Sequence, residues 1–174
     1  TQLFPLYWLL TFSLKSNGEI FGENVIGLPH VWRWVNYVKA FTQTSLIRYF
    51  LNSVFYSFVT LIVAGVLASM AAYAIARMYW KMKNIVFMFF TLGIMIPAQA
   101  ALLPLFQVLD KTGLKGGYLG LLLPYIAGAL PMSVMILIGF LRSIPREIEE
   151  AACIDGCGIF RCFATIILPI IKPA

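Results

Sequence analysis

Residues 150–169 read Glu150-Ala151-Ala152-Cys153-Ile154-Asp155-Gly156-Cys157-Gly158-Ile159-Phe160-Arg161-Cys162-Phe163-Ala164-Thr165-Ile166-Ile167-Leu168-Pro169. The chain is 61% hydrophobic and 11% charged, and this stretch is a polar, turn-bearing segment that follows a long apolar one. Its order predicts a short helix, a sharp turn and a second helix. Ser143 is suited to cap the first helix, and Pro145 is tolerated in a first turn, where no amide hydrogen is needed. Glu147, Glu149 and Glu150 then fall near the positive end of the helix dipole. Ala151 and Ala152 make a small face that another surface can approach closely. Asp155-Gly156 supplies the turn, since glycine adopts positive φ without a Cβ penalty. Ile159, Phe160, Phe163, Ile166 and Ile167 recur at helical spacing, and Pro169 stops or bends that helix. Nothing in this arrangement is needed to cross a bilayer. It reads either as an element held by a partner or as an amphipathic segment lying on the membrane surface.

Working outward, the composition places the chain in a membrane, because soluble domains carry about a quarter charged residues. A helix needs about 20 apolar residues to span. Residues 49–76, 85–109 and 118–141 meet that length with no Asp, Glu, Lys or Arg inside them. The expected fold is therefore all-α and polytopic. In the first stretch Ala64, Gly65, Ala68, Ser69 and Ala72 recur at three- and four-residue spacing, the pattern that lets helix backbones pack closely in lipid. Residues 1–14 are apolar but too short to span alone, show no small-residue cleavage site, and read as the remnant of a cut-off transmembrane helix. Lys172-Pro173-Ala174 reads as the start of a further segment, so the chain is expected to be a piece of a longer one.

The connections are expected to alternate in side. Three cations, Arg77, Lys81 and Lys83, crowd the short connection 77–84, whereas those of 15–48 are scattered. Short basic loops face the cytoplasm, which puts 77–84 and 142–174 inside and the loops 15–48 and 110–117 outside. The formal charge of +6 is accounted for by such flanking cations, with no need for a nucleic-acid partner. Trp32 and Trp34 suit the membrane interface, though they also lie where an outer partner would touch.

Pro97, Pro104, Pro124 and Pro131 interrupt the second and third stretches. Proline frees a backbone carbonyl, tolerated where a neighbour or a cavity satisfies it, and such breaks either mark a substrate path or are ordinary in membrane helices. Gln99 and Gln107 are costly against lipid and are expected to face other helices or a pathway. Asn52 and Tyr125 join them as candidate lining residues. Cys153, Cys157 and Cys162 fit no usual zinc or iron–sulfur spacing, and His30 is the one histidine, so neither a metal nor a cofactor is expected.

The spacing Glu150-Ala151-Ala152, three residues, Gly156, nine residues, Ile166-x-Leu168-Pro169 resembles, position for position, the EAA motif of permease subunits of ABC importers. The flanks resemble the carbohydrate branch, in particular the maltose- and glycerol-3-phosphate-type second permease subunit. They are Pro97-Ala98-Gln99, Leu103-Pro104-Leu105-Phe106, Gly113-Leu114, Leu123-Pro124-Tyr125 and Ser143-Ile144-Pro145-Arg146-Glu147. The three cysteines are not part of that pattern.

The resemblance implies a type I importer permease (MetI-like) fold, here truncated, in a bacterial or archaeal inner membrane, and no enzymatic activity of its own. It implies that Glu150, Ala151, Ala152, Asp155 and Gly156 dock on a cytoplasmic ATP-binding cassette ATPase, whose hydrolysis drives alternating access. It also implies a second permease subunit, an extracytoplasmic solute-binding protein and a lipid environment. The chain has no GxxxxGK[ST] loop, consistent with an ATPase supplied by a partner. A secondary transporter or channel is the competing reading. It wants an ionisable group inside the membrane, and the three long stretches hold no charged residue.

Overall fold

The computed structural model describes residues 3–22 and 24–172 of the 174-residue chain. Thr1 and Gln2 of the expected span remnant, Glu23 of the expected outer loop, and Pro173 and Ala174 of the expected following segment lie outside the described residues. The regular elements among the described residues are all helices. They fall into two compact units, residues 1–54 and 55–174, divided within the long helix α4 (Leu46–Arg77).

The first unit holds α1 (Leu3–Ser13), α2 (Asn17–Ile20), α3 (Val35–Gln43) and the first turns of α4. Residues 15–48, read above as loop, therefore contain two helices, and α4 begins three residues before the expected start of its span. The reasons are local. Ser16 and Glu19 form a reciprocal capping box that nucleates α2. Residues 31–45 contain neither glycine nor proline, so α3 runs until Thr44 turns extended at φ −120° and ψ 159°.

Charged groups organise the chain between these helices. Lys15 is 1% exposed, and its ammonium donates to the carbonyls of Asn24 (2.6 Å) and Val25 (3.1 Å). Asn36 ties α3 back by donating to the carbonyls of Ser13 and Lys15. The Glu19 carboxylate accepts the amides of His30 and Ser16, and these hydrogen bonds hold its pKa down to about 2.

In the second unit, α4 and α7 (Tyr118–Ser143) each hold an 18-residue stretch, of mean hydropathy 2.2 and 2.1, and are long enough to cross a membrane. The third expected span, 85–109, is not one straight helix. It is α5 (Lys83–Met95) and α6 (Ala98–Lys111), bent by 104°. Pro97 is the cause: its ring disfavours helical backbone in the preceding residue, and Ile96 is extended at φ −80° and ψ 115°. Pro104, Pro124 and Pro131 stay inside continuous helices.

Pro131 has a packing role. A Cβ built on Gly93 would lie 2.9 Å from the Pro131 Cγ, so α5 rests on α7 through a glycine–proline contact that admits no side chain. Of the small-residue stripe, Ala64, Ala68, Ser69 and Ala72 are buried as expected, but Gly65 opens onto a cavity instead of a tight contact.

After α7 come α8 (Glu147–Ile154), α9 (Ile159–Cys162), a π-helical turn (Phe163–Ile167) and α10 (Leu168–Ile171). The last three make one continuous helix that runs past Pro169 instead of stopping there. The Leu168 amide reaches back five residues to the Phe163 carbonyl, the wider turn that accommodates a proline ring one residue later. The buried core lies where these elements fold onto α4 and α7, and gathers Ala72, Tyr73, Leu141, Ile144, Ala152, Cys162, Ile167 and Ile171 with their neighbours. The Tyr73 and Phe163 rings meet there at 5.1 Å.

Overpacking a filled helix contact costs about 1–3 kcal/mol. Gly93→Val is therefore expected to lower the melting temperature of the detergent-purified full-length protein, and Pro131→Ala in the same chain to restore most of it. An unchanged melting temperature in Gly93→Val would contradict the contact.

Candidate functional site

The polar segment is built on one buried cation. Arg77 is the last residue of α4, and its side chain is 5% exposed. Its Nη2 donates to the carbonyls of Leu141 (2.8 Å) and Ile144 (2.7 Å) at the end of α7, where the Leu141 carbonyl also accepts the Ile144 amide. Its Nε lies 2.9 Å from Glu149 Oε1 of α8, with the N–H off the line of a hydrogen bond, so that contact is Coulombic. The other Glu149 oxygen accepts from the Tyr73 hydroxyl at 3.1 Å. One guanidinium thus joins the end of α4, the end of α7 and the first turn of α8.

The entry to α8 differs from the expected cap. Ser143 ends α7, and its hydroxyl donates to the Phe140 carbonyl instead of capping α8. Ile144 is extended ahead of Pro145, and α8 starts behind Arg146, whose carbonyl accepts the Glu149 and Glu150 amides. Glu147, Glu149 and Glu150 do occupy the first turn.

The exit follows the expected turn. Gly156 has φ +77°, the Gly156 amide bonds the Cys153 carbonyl, and the Cys157 amide bonds the Ala152 carbonyl. These two bonds define a Schellman motif, whose left-handed position suits glycine.

Of the five residues singled out in the motif, Glu150, Ala151, Asp155 and Gly156 are exposed. Ala152 is not. It is 7% exposed and packs in the core, so its small size serves the seating of α8. Ile154, and Phe160 of the expected apolar stripe, flank the turn and are each 86% exposed. Sequence reasoning missed Tyr79, whose hydroxyl accepts from Arg146 at 2.7 Å. Arg146 and Tyr79 border a cleft of about 460 Å³ with Glu150, Cys153 and Ile154. The role of Arg77 was missed too, because it was weighed as a flanking cation. Tyr73 and Arg77, four residues apart on one helix face at the end of an apolar run, were the available signal.

The expected lining residues are not gathered by any one of these features. Gln99 and Gln107 are exposed on α6, Tyr125 is exposed on α7, and Asn52 is half-buried near the start of α4 beside Arg48 and Phe41. A cavity of about 670 Å³ in the second unit is lined instead by Gly65, Ser69, Ser133, Leu137 and Pro169 among others. Among the described residues, no group of three or more His, Cys, Asp or Glu could hold a metal.

Residues 62–174, from within α4 through the whole polar segment, match the family described as binding-protein-dependent transport system inner membrane component. The chain belongs to this family. It is 38% identical over 169 residues to the diacetylchitobiose uptake system permease protein NgcG of Streptomyces coelicolor, covering 97% of this chain and 56% of that one. It is 33% identical over 171 residues to the trehalose transport system permease protein SugB of Mycobacterium tuberculosis, covering 98% and 62%. The chain thus spans roughly three-fifths of the length of these relatives. The fold also matches a chain in the crystal structure of a bacterial ABC transporter involved in the import of the acidic polysaccharide alginate. The TM-score is 0.82 at 18% identity, over 99% of this chain and 60% of that one. As a member of an inner-membrane family, the chain carries its long apolar helices in a bilayer, and its similar proteins are transport permeases.

Cys153 is exposed and Cys162 is 2% exposed, and burial first, then the charge of Glu149, pushes the Cys162 thiol pKa up. Because the thiolate is the nucleophile, both effects slow its reaction. Maleimide at pH 7.5 is expected to label Cys153 first and to leave Cys162 unmodified, read by peptide mass. Equal labelling would contradict this packing. Gly156→Ala meets no atom within 4 Å, so its expected cost is the left-handed backbone alone, about 1–2 kcal/mol.

Proposed function

We propose that this chain is part of a permease subunit of an ATP-driven importer of sugars, and that the α8 turn is where an ATP-hydrolysing partner pushes on it. The observation that carries this reading is an exposed turn held on a rigid seat. Glu150, Ala151, Asp155 and Gly156 lie open between Ile154 and Phe160, while Ala152, Arg77 and Glu149 fix the helix beneath them. Apolar side chains that far exposed, beside carboxylates and outside the long apolar helices, suit a protein partner better than lipid or water. The carboxylates favour a partner surface bearing cations, and the exposed Ala151 lets it come close.

The similar proteins named above are described as taking up diacetylchitobiose and trehalose, which supports a small oligosaccharide as the cargo. In this reading, closure of a pair of ATPase subunits displaces α8 and rocks the spans between inward- and outward-facing states. The chain supplies no catalytic group. The connections 77–84 and 142–172 face the cytoplasm with the ATPase. Residues 15–48 and 110–117 face outward, toward a solute-binding protein, and a second permease subunit completes the path. Gln99, Gln107, Tyr125 and Asn52 are polar groups that are costly against lipid and are assigned to that path or to the permease contact.

The test uses the full-length protein reconstituted with its partners in proteoliposomes. Glu150→Lys and Gly156→Arg are expected to leave membrane insertion intact while reducing sugar-stimulated ATP hydrolysis and transport by about tenfold or more, the scale on which 1.4 kcal/mol of lost contact is read. Wild-type stimulation in both variants would reject docking through this turn.

A further inference from the structure

The link between α7 and α8 is short and non-helical: Ile144 and Pro145 are followed by Arg146, and Ile144 is extended. Of the eight residues of α8, Ala152 is the buried one. A single alanine side chain buries too little apolar surface to fix the direction of a helix, since that contribution scales with area. The contacts that do fix it are polar. They run from Arg77 to the Leu141 and Ile144 carbonyls and to Glu149, and from Tyr73 to the same carboxylate.

We propose that Arg77, with Glu149 and Tyr73, is the positioning element that sets α8 against the ends of α4 and α7, so that a push on the α8 turn moves both long helices as one body. The transmission half of this rests on the proposed docking of an ATPase at that turn; the seating of α8 does not. The geometry calls for arginine. Nη2 serves two carbonyls while Nε faces the carboxylate, and a lysine ammonium is a single point that cannot occupy both places. The partner atoms of Arg77 come from the last turn of α7 and the first turn of α8. Without the clamp, α8 keeps Ala152 and its turn into α9 as ties, and a displacement of the turn is taken up at Ile144 and Pro145.

Cys162 provides a native reporter. It is 2% exposed and lies close enough to Glu149 and Tyr73 for both to act on its thiol, so loss of the clamp uncovers it. In membrane vesicles holding the full-length protein, Arg77→Met is expected to raise the maleimide reactivity of Cys162 relative to Cys153 by roughly tenfold, as local opening becomes easier, with Arg77→Lys intermediate. In the reconstituted complex, Arg77→Met is expected to keep basal ATP hydrolysis and to lose most of the sugar transported per ATP.

The double variant Arg77→Met/Glu149→Leu separates positioning from plain stability. It leaves no buried unpaired charge, so a protein that merely suffered from an orphaned carboxylate recovers in it. Transport per ATP is expected to stay low in the double variant. Wild-type transport per ATP there, or a Cys162 as protected in Arg77→Met as in the wild type, overturns the proposal. If the wild-type protein itself recruits no ATPase, the functional reading falls, and the Cys162 result still decides whether Arg77 positions α8.

Discussion

A buried guanidinium that satisfies carbonyls from the end of another helix is the constraint on which the second unit depends. Arg77 is nearly free of solvent, so its charge must be met by protein groups. The groups that meet it are the two carbonyls where α7 stops and the carboxylate where α8 starts. All three contacts come from one guanidinium, which ties the position of α8 to the geometry of both long helices. The first unit uses the same chemistry in another place. There Lys15, also buried, donates to the carbonyls of Asn24 and Val25 and gathers a connection whose large apolar side chains stay exposed.

Prolines act at three different levels in this chain. At Pro97 the ring forces the preceding residue out of helical backbone and turns one apolar run into two helices at 104°. At Pro131 the helix continues, and the ring becomes a packing surface for Gly93. At Pro169 the helix continues as well, because the π-helical turn before it makes room for the ring. The residue is the same, and what differs is what stands around the ring: an extended residue before Pro97, a glycine against Pro131 and a π-helical turn before Pro169.

The site pairs a fixed base with an open tip. The base consists of Ala152, Glu149 and Arg77, and the tip of Glu150, Ala151, Asp155 and Gly156 with Ile154 and Phe160 beside it. In the proposed reading, a rigid seat suits an element that carries a displacement, since a loosely held helix absorbs motion instead of passing it on. The Schellman turn contributes to the same end, because its two backbone bonds hold the exposed tip in one shape without help from a partner.

The all-helical class, the apolar runs, the turn at Gly156 and the acidic first turn of α8 were legible in the order of residues, because hydropathy, glycine at a helix end and charge near a helix start act over a few residues. The bend at Pro97 was half-legible: the proline was visible, but Pro104, Pro124 and Pro131 look the same in sequence and do not break their helices. The burial of Ala152 beside the exposed Ala151 was not legible, because two adjacent alanines differ in nothing but the direction they face. Nor was the part played by Arg77, since its partners are Leu141, Ile144 and Glu149, more than sixty residues away. The sequence by itself determined the all-helical class, which stretches are apolar enough for a membrane and where the exposed turn falls. The tertiary structure alone decided how that turn is held, because pairing a buried charge requires groups that come together only when distant helix ends meet.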